Sequence, residues 1–183
     1  MRAFISLNLN DETVTLLKGF QKSVKEELGY ADSKNIRWED PDKFHITLFF
    51  IGEIDDKRIE DLKIGLKNIK DEQTGLLSLG LGKLNGFPDL NKPRVLFVEV
   101  IDSENKLNRL SGVVNRITKD IGVDQSSKFH AHITLGRVKR DCRIKRLTGL
   151  NIKHNFEIKE LHLMKSTLNR DGAVHESLFS AEL

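Results

Sequence analysis

A single cysteine, Cys142, in a chain of 183 residues leaves no partner for an internal disulfide and none for a thiolate metal site. Long hydrophobic runs are missing too. Nothing approaches the ~18 consecutive apolar residues of a membrane-spanning helix, and residues 1–9 are too few and too mixed for a secretory signal. These absences predict a cytosolic protein with no membrane partner and no need of an oxidising compartment. Excess charge of one sign is also scarce: 30 Lys and Arg against 27 Asp and Glu give a net charge of +3 and a pI near 8.9. That mild basicity favours anionic partners without naming one. With 38% hydrophobic and 31% charged residues, the chain is long enough to bury the core of one domain, or of one domain built as two lobes.

Against this background one tetrapeptide stands out because it occurs twice. His45-Ile46-Thr47-Leu48 returns as His132-Ile133-Thr134-Leu135, 87 residues further on. With six His and eight Thr in the chain, composition alone gives roughly 0.3 His-x-Thr triplets, so the pair reads as a duplicated half-domain. Each copy lies in a β-branched, apolar run, residues 45–51 and 131–138, that predicts a short strand. Successive side chains of a strand point to opposite faces. His45 and Thr47 therefore share one face and Ile46 and Leu48 the other, and His132 and Thr134 repeat the pattern. Each strand buries its aliphatic side and offers an imidazole and a hydroxyl on the other, which across a cleft would suit one small anionic group.

The remaining periodicity repeats the order strand, helix, His-x-Thr strand, helix or basic turn. Strands are predicted over 2–9, 76–87, 94–101, 156–167 and 174–181, the last two joined by a turn at 169–172. A first helix begins with Asp11 as its N-cap, carries Val14, Leu17, Val24 and Leu28 at helical spacing and stops at Gly29. A second opens at Asp55-Asp56 with Ile59, Leu62, Leu66 and Ile69 on one stripe, and a third covers 104–120. Residues 30–43 form a loop in which Ile36-Arg37-Trp38 is a short extended piece. The expected architecture is α+β: a single bilobal domain spanning 1–183, with lobes of about 1–90 and 91–183 and strand exchange at the C-terminus. Each lobe is an antiparallel sheet with helices on its outer face, and the His-x-Thr strands line the groove between the sheets. Lys128, Arg137, Lys139, Arg140, Arg143, Lys145 and Arg146 cluster around the second motif, either as a solvated face or as a positive rim for a phosphate-bearing ligand.

Paired His-x-Thr-x motifs near one and three quarters of a chain of this size resemble the two-histidine phosphoesterase superfamily. In particular they resemble its RNA 2′,3′-cyclic phosphodiesterase branch, also described as 2′-5′ RNA ligases. Arg2-Ala3-Phe4-Ile5, Trp38, Phe49-Phe50-Ile51-Gly52, Phe87-Pro88, Pro93-Arg94-Val95-Leu96 and Gly136-Arg137 carry the likeness over nearly the whole chain. It implies hydrolysis of a 2′,3′-cyclic phosphate on RNA or a nucleotide to a 2′-phosphate. Two imidazoles suit the acid and base tasks with no metal or other cofactor, and a monomer is expected. By the same resemblance His45 is the proton donor and His132 the proton acceptor, since the sequence itself is symmetric on this point. Thr47 and Thr134 would hold the non-bridging phosphate oxygens. Arg137 would assist them if a bulge or twist at Gly136 turned it into the groove, and Phe87 would stack against a base. Where the family often has a Tyr near the C-terminal turn, this chain has His175. His130, His154, His162 and His175 read as structural. Three other readings stand beside hydrolysis: a non-catalytic binder of phosphorylated RNA ends, a phosphodiesterase for 2′-5′ linkages or small cyclic nucleotides, and a two-His metal site. The metal site is the weakest, because no carboxylate or third ligand accompanies either motif. Reverse 2′-5′ ligation would use the same residues.

Overall fold

The computed structural model describes residues 1–72, 75–124, 128–140, 144, 147–169 and 172–183. Its elements run β1 (Arg2–Asn8), α1 (Asp11–Ser33), β2 (Ile36–Trp38), β3 (His45–Glu53), α2 (Asp56–Lys67), β4 (Leu77–Phe87), β5 (Val95–Ile101), α3 (Lys106–Asp120), β6 (His132–Val138), β7 (Asn151–Ile158), β8 (Glu160–Asn169) and β9 (Gly172–Glu182). The mixed α+β class follows the sequence pattern. Every paired strand is antiparallel, in the order β7-β4-β5-β6-β3-β1-β8-β9, with β2 beside β6.

The two expected sheets are the two ends of this order. One carries β3 among β1, β8 and β9; the other carries β6 among β5, β4 and β7. They are stitched through the pair Ile46–Ile133, both fully buried. Because that pairing is antiparallel, the two motifs run past each other in opposite directions. His45 lies on the side of Thr134, and His132 on the side of Thr47. The duplicated tetrapeptide thus makes an approximate two-fold axis at the seam, with an imidazole on either side of it.

Local chemistry explains the boundaries. The side chain of Asn10, rather than Asp11, caps α1 by accepting the backbone N–H of Thr13 at 2.8 Å. The helix breaks at Gly29, whose φ of 72° few other residues tolerate, and resumes briefly to Ser33. α3 starts at Lys106, two residues after the predicted start, because the Asp102 carboxylate takes the N–H groups of Lys106, Leu107 and Asn108 at 3.0, 2.9 and 3.2 Å. Leu17, Val24 and Leu28 of α1 and Ile59, Leu62 and Leu66 of α2 are buried as their spacing requires. α2 and α3 pack on each other, α3 against β3 and α2 against β9, while α1 reaches β7.

One predicted strand is two. Residues 156–167 divide at Lys159, where β7 ends its pairing with β4 and β8 begins pairing with β1. The buried positions Phe156 and Ile158 are followed by Leu161 and Leu163, a step of three where alternation demands two. The chain crosses between the sheets at that slip.

Candidate active site

Both motif strands carry the same irregularity. Along β1 the partner of Ile5 is Phe49 and that of Ser6 is Thr47, so Leu48 is an extra residue; along β5, Leu96 faces Gly136 and Phe97 faces Thr134, so Leu135 is extra. Two adjacent buried residues mark each slip, Leu48-Phe49 and Leu135-Gly136. A one-residue bulge shifts the alternation by one. The third side chain on the His/Thr face is then not the residue four after the histidine but the one five after it, Phe50 on β3 and Arg137 on β6. The bulge that Arg137 needed is present, one residue before Gly136.

These residues meet in an open cleft of about 560 Å³ lined by His45, Thr47, His132, Thr134, Arg137 and Phe87, all six of the residues picked out from the sequence. Each imidazole is held from behind in the same way. Nδ1 of His45 lies 2.7 Å from the Lys43 carbonyl and Nδ1 of His132 lies 2.7 Å from the His130 carbonyl. A carbonyl oxygen can only accept, so Nδ1 carries the hydrogen and Nε2 is the nitrogen left for a ligand. The Thr47 hydroxyl stands 3.0 Å from His45 Nε2 and with that tautomer donates to it.

The electrostatics favour the neutral form of both rings. Burial pushes His45 down to about 4; the Lys43 carbonyl opposes this, and the positive charges of His175, His132 and Arg137 add to it. His132 is lowered by burial first, against the pull of the His130 carbonyl, and further by His130 and Arg137.

Several contributors were not legible in the motif. Arg2, Arg37 and Lys43 line the cleft together with Glu39, as do Phe4 and Phe50. Of the predicted basic cluster Arg137 lines the cleft; Lys128, Lys139 and Arg140 are exposed outside its lining, and Arg143, Lys145, Arg146 and Cys142 fall outside the described residues. His175, read as structural, also lines the cleft, edge-on to Phe4 at 4.9 Å and to His45 at 5.9 Å, and its Nδ1 is buried without a hydrogen-bond partner among the described residues. His175 is itself lowered by burial, partly offset by Glu39. Phe87 stacks on Phe97 with ring centres 4.2 Å apart and meets the rings of His130 and His132 edge-on. His154 bonds the buried Thr13 hydroxyl at 3.2 Å, and His162 lies beside Glu160 and Ser177. Among the described residues no cluster of three His, Cys, Asp or Glu side chains is arranged to hold a metal ion, and no helix is long and apolar enough to cross a membrane.

Comparison with known proteins follows the same lines. A family described as LigT like Phosphoesterase matches residues 10–97 and 99–175. An RNA 2′,3′-cyclic phosphodiesterase of Archaeoglobus fulgidus is 28% identical over 182 residues, covering 97% of this chain and 98% of the relative. Another of that name, from Aquifex aeolicus, is 31% identical over 149 residues, 76% and 77% of the two chains. Among solved structures, TT0787 of Thermus thermophilus superposes with a TM-score of 0.83 at 22% identity, covering 100% of this chain and 98% of that one. Escherichia coli LigT complexed with 3′-AMP gives 0.80 at 20% identity, covering 100% and 97%. The α+β architecture is shared with both solved structures.

Proposed function

The chain belongs to the LigT-like phosphoesterase family, and from that premise we propose that it hydrolyses the 2′,3′-cyclic phosphate of RNA ends or nucleotides to a 2′-phosphate. The observation that carries the reading is the seam: two imidazoles, identically anchored through Nδ1, on opposite sides of one cleft. Opening a cyclic phosphate requires a base on the side of the attacking water and an acid on the side of the departing oxygen. In the reading proposed, His132 Nε2 takes a proton from water as the new P–O bond forms. The bond from phosphorus to the 3′-oxygen breaks, and His45 Nε2 delivers a proton to that oxygen. Thr47, Thr134 and Arg137 hold the non-bridging oxygens, where charge accumulates. Each half of the chain supplies one imidazole, so the bilobal molecule acts as one catalytic unit. The direct test is incubation with nucleoside 2′,3′-cyclic phosphates in the presence of chelator. Accumulation of the 2′-phosphate is expected; the 3′-isomer, or no product, would overturn the proposal.

The lowered imidazoles set the pH dependence. His132 must be neutral, so the rate rises as pH climbs through its pKa; His45 must be protonated, so the rate falls as pH climbs through its own. Since both lie below 6.5 in the free protein, kcat/KM should trace a bell whose maximum lies on the acid side of 6.5. A bound phosphate anion opposes the Arg137 charge and raises both groups, so the bell in kcat should sit at higher pH than that in kcat/KM. Rate profiles at saturating and sub-saturating substrate check this, and a monotonic kcat/KM would contradict paired acid-base work.

A further inference from the structure

The bulge at Leu135 turns Arg137 into the cleft, and a bulge leaves backbone groups without ladder partners. Here the Leu135 carbonyl points away from β5, toward β2, and is held there by two donors. It accepts the backbone N–H of Glu39 at 2.9 Å and the side-chain Nε2 of Gln21 at 3.0 Å. The same Nε2 donates its other hydrogen to the Glu39 carbonyl at 2.8 Å, and Gln21 Oε1 accepts from Lys25 Nζ at 2.9 Å. Lys25 in turn lies 5.1 Å from the centre of the Trp38 ring.

Gln21 is 2% exposed and stands among Leu17, Val24 and Leu28 on the core stripe of α1. A polar side chain there is unfavourable unless its groups are satisfied, and its amide is satisfied by the two segments that build one wall of the cleft. Glu39 and Arg37 lie on one segment, Arg137 two residues beyond Leu135 on the other. The junction is tight: a Cβ on Gly136 would meet Ile36 Cγ2 at 2.8 Å, the Arg37 carbonyl at 3.2 Å and Trp38 Cε3 at 3.2 Å. β2 is thus pressed onto the bulge, with Trp38 against Gly136 and Arg37 against Arg137.

We propose that Gln21, which does not line the cleft, is a positioning residue for the reaction: it locks the bulge at Leu135 and so fixes Arg137 over the phosphate. The inference rests on the cleft being the phosphate site. It also explains why a buried helix position is an amide rather than a leucine.

The test compares the parent protein with Gln21→Met, which keeps the length and removes the donors, Arg137→Gln, and the pair combined. Arg137 lowers both cleft imidazoles, so releasing it should displace the kcat/KM bell to higher pH. The other titratable groups acting on those rings, His130 and His175, are unchanged in all variants, as are Glu39 and Lys43, whose charges act on His175. Gln21→Met should lower kcat/KM for uridine 2′,3′-cyclic phosphate about tenfold, move the bell in the same direction as Arg137→Gln, and add little once Arg137 is gone. A merely structural role would reduce the folded fraction and scale the rate without moving the limbs. Limbs coinciding with the parent's, or losses that multiply in the double variant, would overturn the proposal. Should Gln21→Met not fold, Gln21→Asn, one methylene too short to span both carbonyls, should show the same displacement, and an unmoved profile overturns the proposal equally. If the parent itself fails to turn over, the phosphodiesterase reading falls. NMR titration of His45 and His132 in the free variants still decides the role of Gln21, since a raised pKa supports it and an unchanged one refutes it.

Discussion

Alanine at His132 should leave nucleotide binding within a few-fold of the parent protein and lower turnover by about 10²–10⁴-fold, the range a positioned acid or base contributes. Alanine at His45 should cost a similar factor, and the double variant should fall only slightly further, because acid and base act on one transition state. Binding and turnover separate the competing readings. A protein that merely holds phosphorylated RNA ends relies on cations and hydroxyls, so for it both substitutions would alter affinity modestly and there would be no rate to lose. The roles within the pair can also be separated. A cyclic analogue with sulfur in place of the 3′-oxygen departs as a thiolate and needs no proton, so His45→Ala should lose much less on it, whereas His132→Ala should lose as much as before. The reverse pattern would exchange the acid and base.

That much of the candidate site was legible because the letters of the repeated motif are local and duplicated. His-Ile-Thr-Leu specifies a strand, its two faces and, by recurring, its partner across the seam; Ile46 and Ile133 then pair as the buried sides demand. The helix stripes were equally direct. Other features left a trace that only a stricter reading of period would catch. Leu48-Phe49 departs from alternation just where the strand bulges, and the step from Ile158 to Leu161 does so where one predicted strand becomes two. Gln21 interrupts the run Leu17, Val24, Leu28 at a position where helical spacing calls for an apolar residue. A buried polar side chain must find partners, but the sequence does not say which. Arg37 and Lys43 carried no signal of a place in the cleft, and Arg2 and His175 were marked only by the family likeness and a departure from it, since their presence there depends on how β1, β2 and β9 are set around the motif strands. The choice of Asn10 over Asp11 as the helix cap belongs with these, because adjacent capping residues differ only in where the preceding strand lets go.

The two-fold relation between the motifs breaks at the residue each bulge delivers to the cleft. On β3 it is Phe50, 58% exposed and beside Phe4; on β6 it is Arg137. The side chain delivered by one bulge is consequently apolar and that delivered by the other cationic, so the symmetric imidazoles are given unlike neighbours. Charge that develops on the non-bridging oxygens can be met by the fixed guanidinium, whose planar donors suit a phosphate better than an ammonium would. Arg137→Gln should therefore lower kcat/KM by about 10²–10³-fold, the loss expected when one donor to a developing oxyanion is removed. Most of that loss should appear in kcat. If Arg137 merely attracted the anion, the loss would appear in KM and shrink as salt is raised. Removing the charge also lifts a restraint on both imidazoles, so the bell should move toward neutral pH even as its height collapses. Arg137→Lys retains a positive charge without the planar fork, and should hold the pH profile near its original place while recovering only part of the rate. A variant profile that stayed fixed when Arg137 became Gln would mean that the guanidinium does not act on the histidines, and the cleft's electrostatic asymmetry would have to come from Arg37 or Lys43.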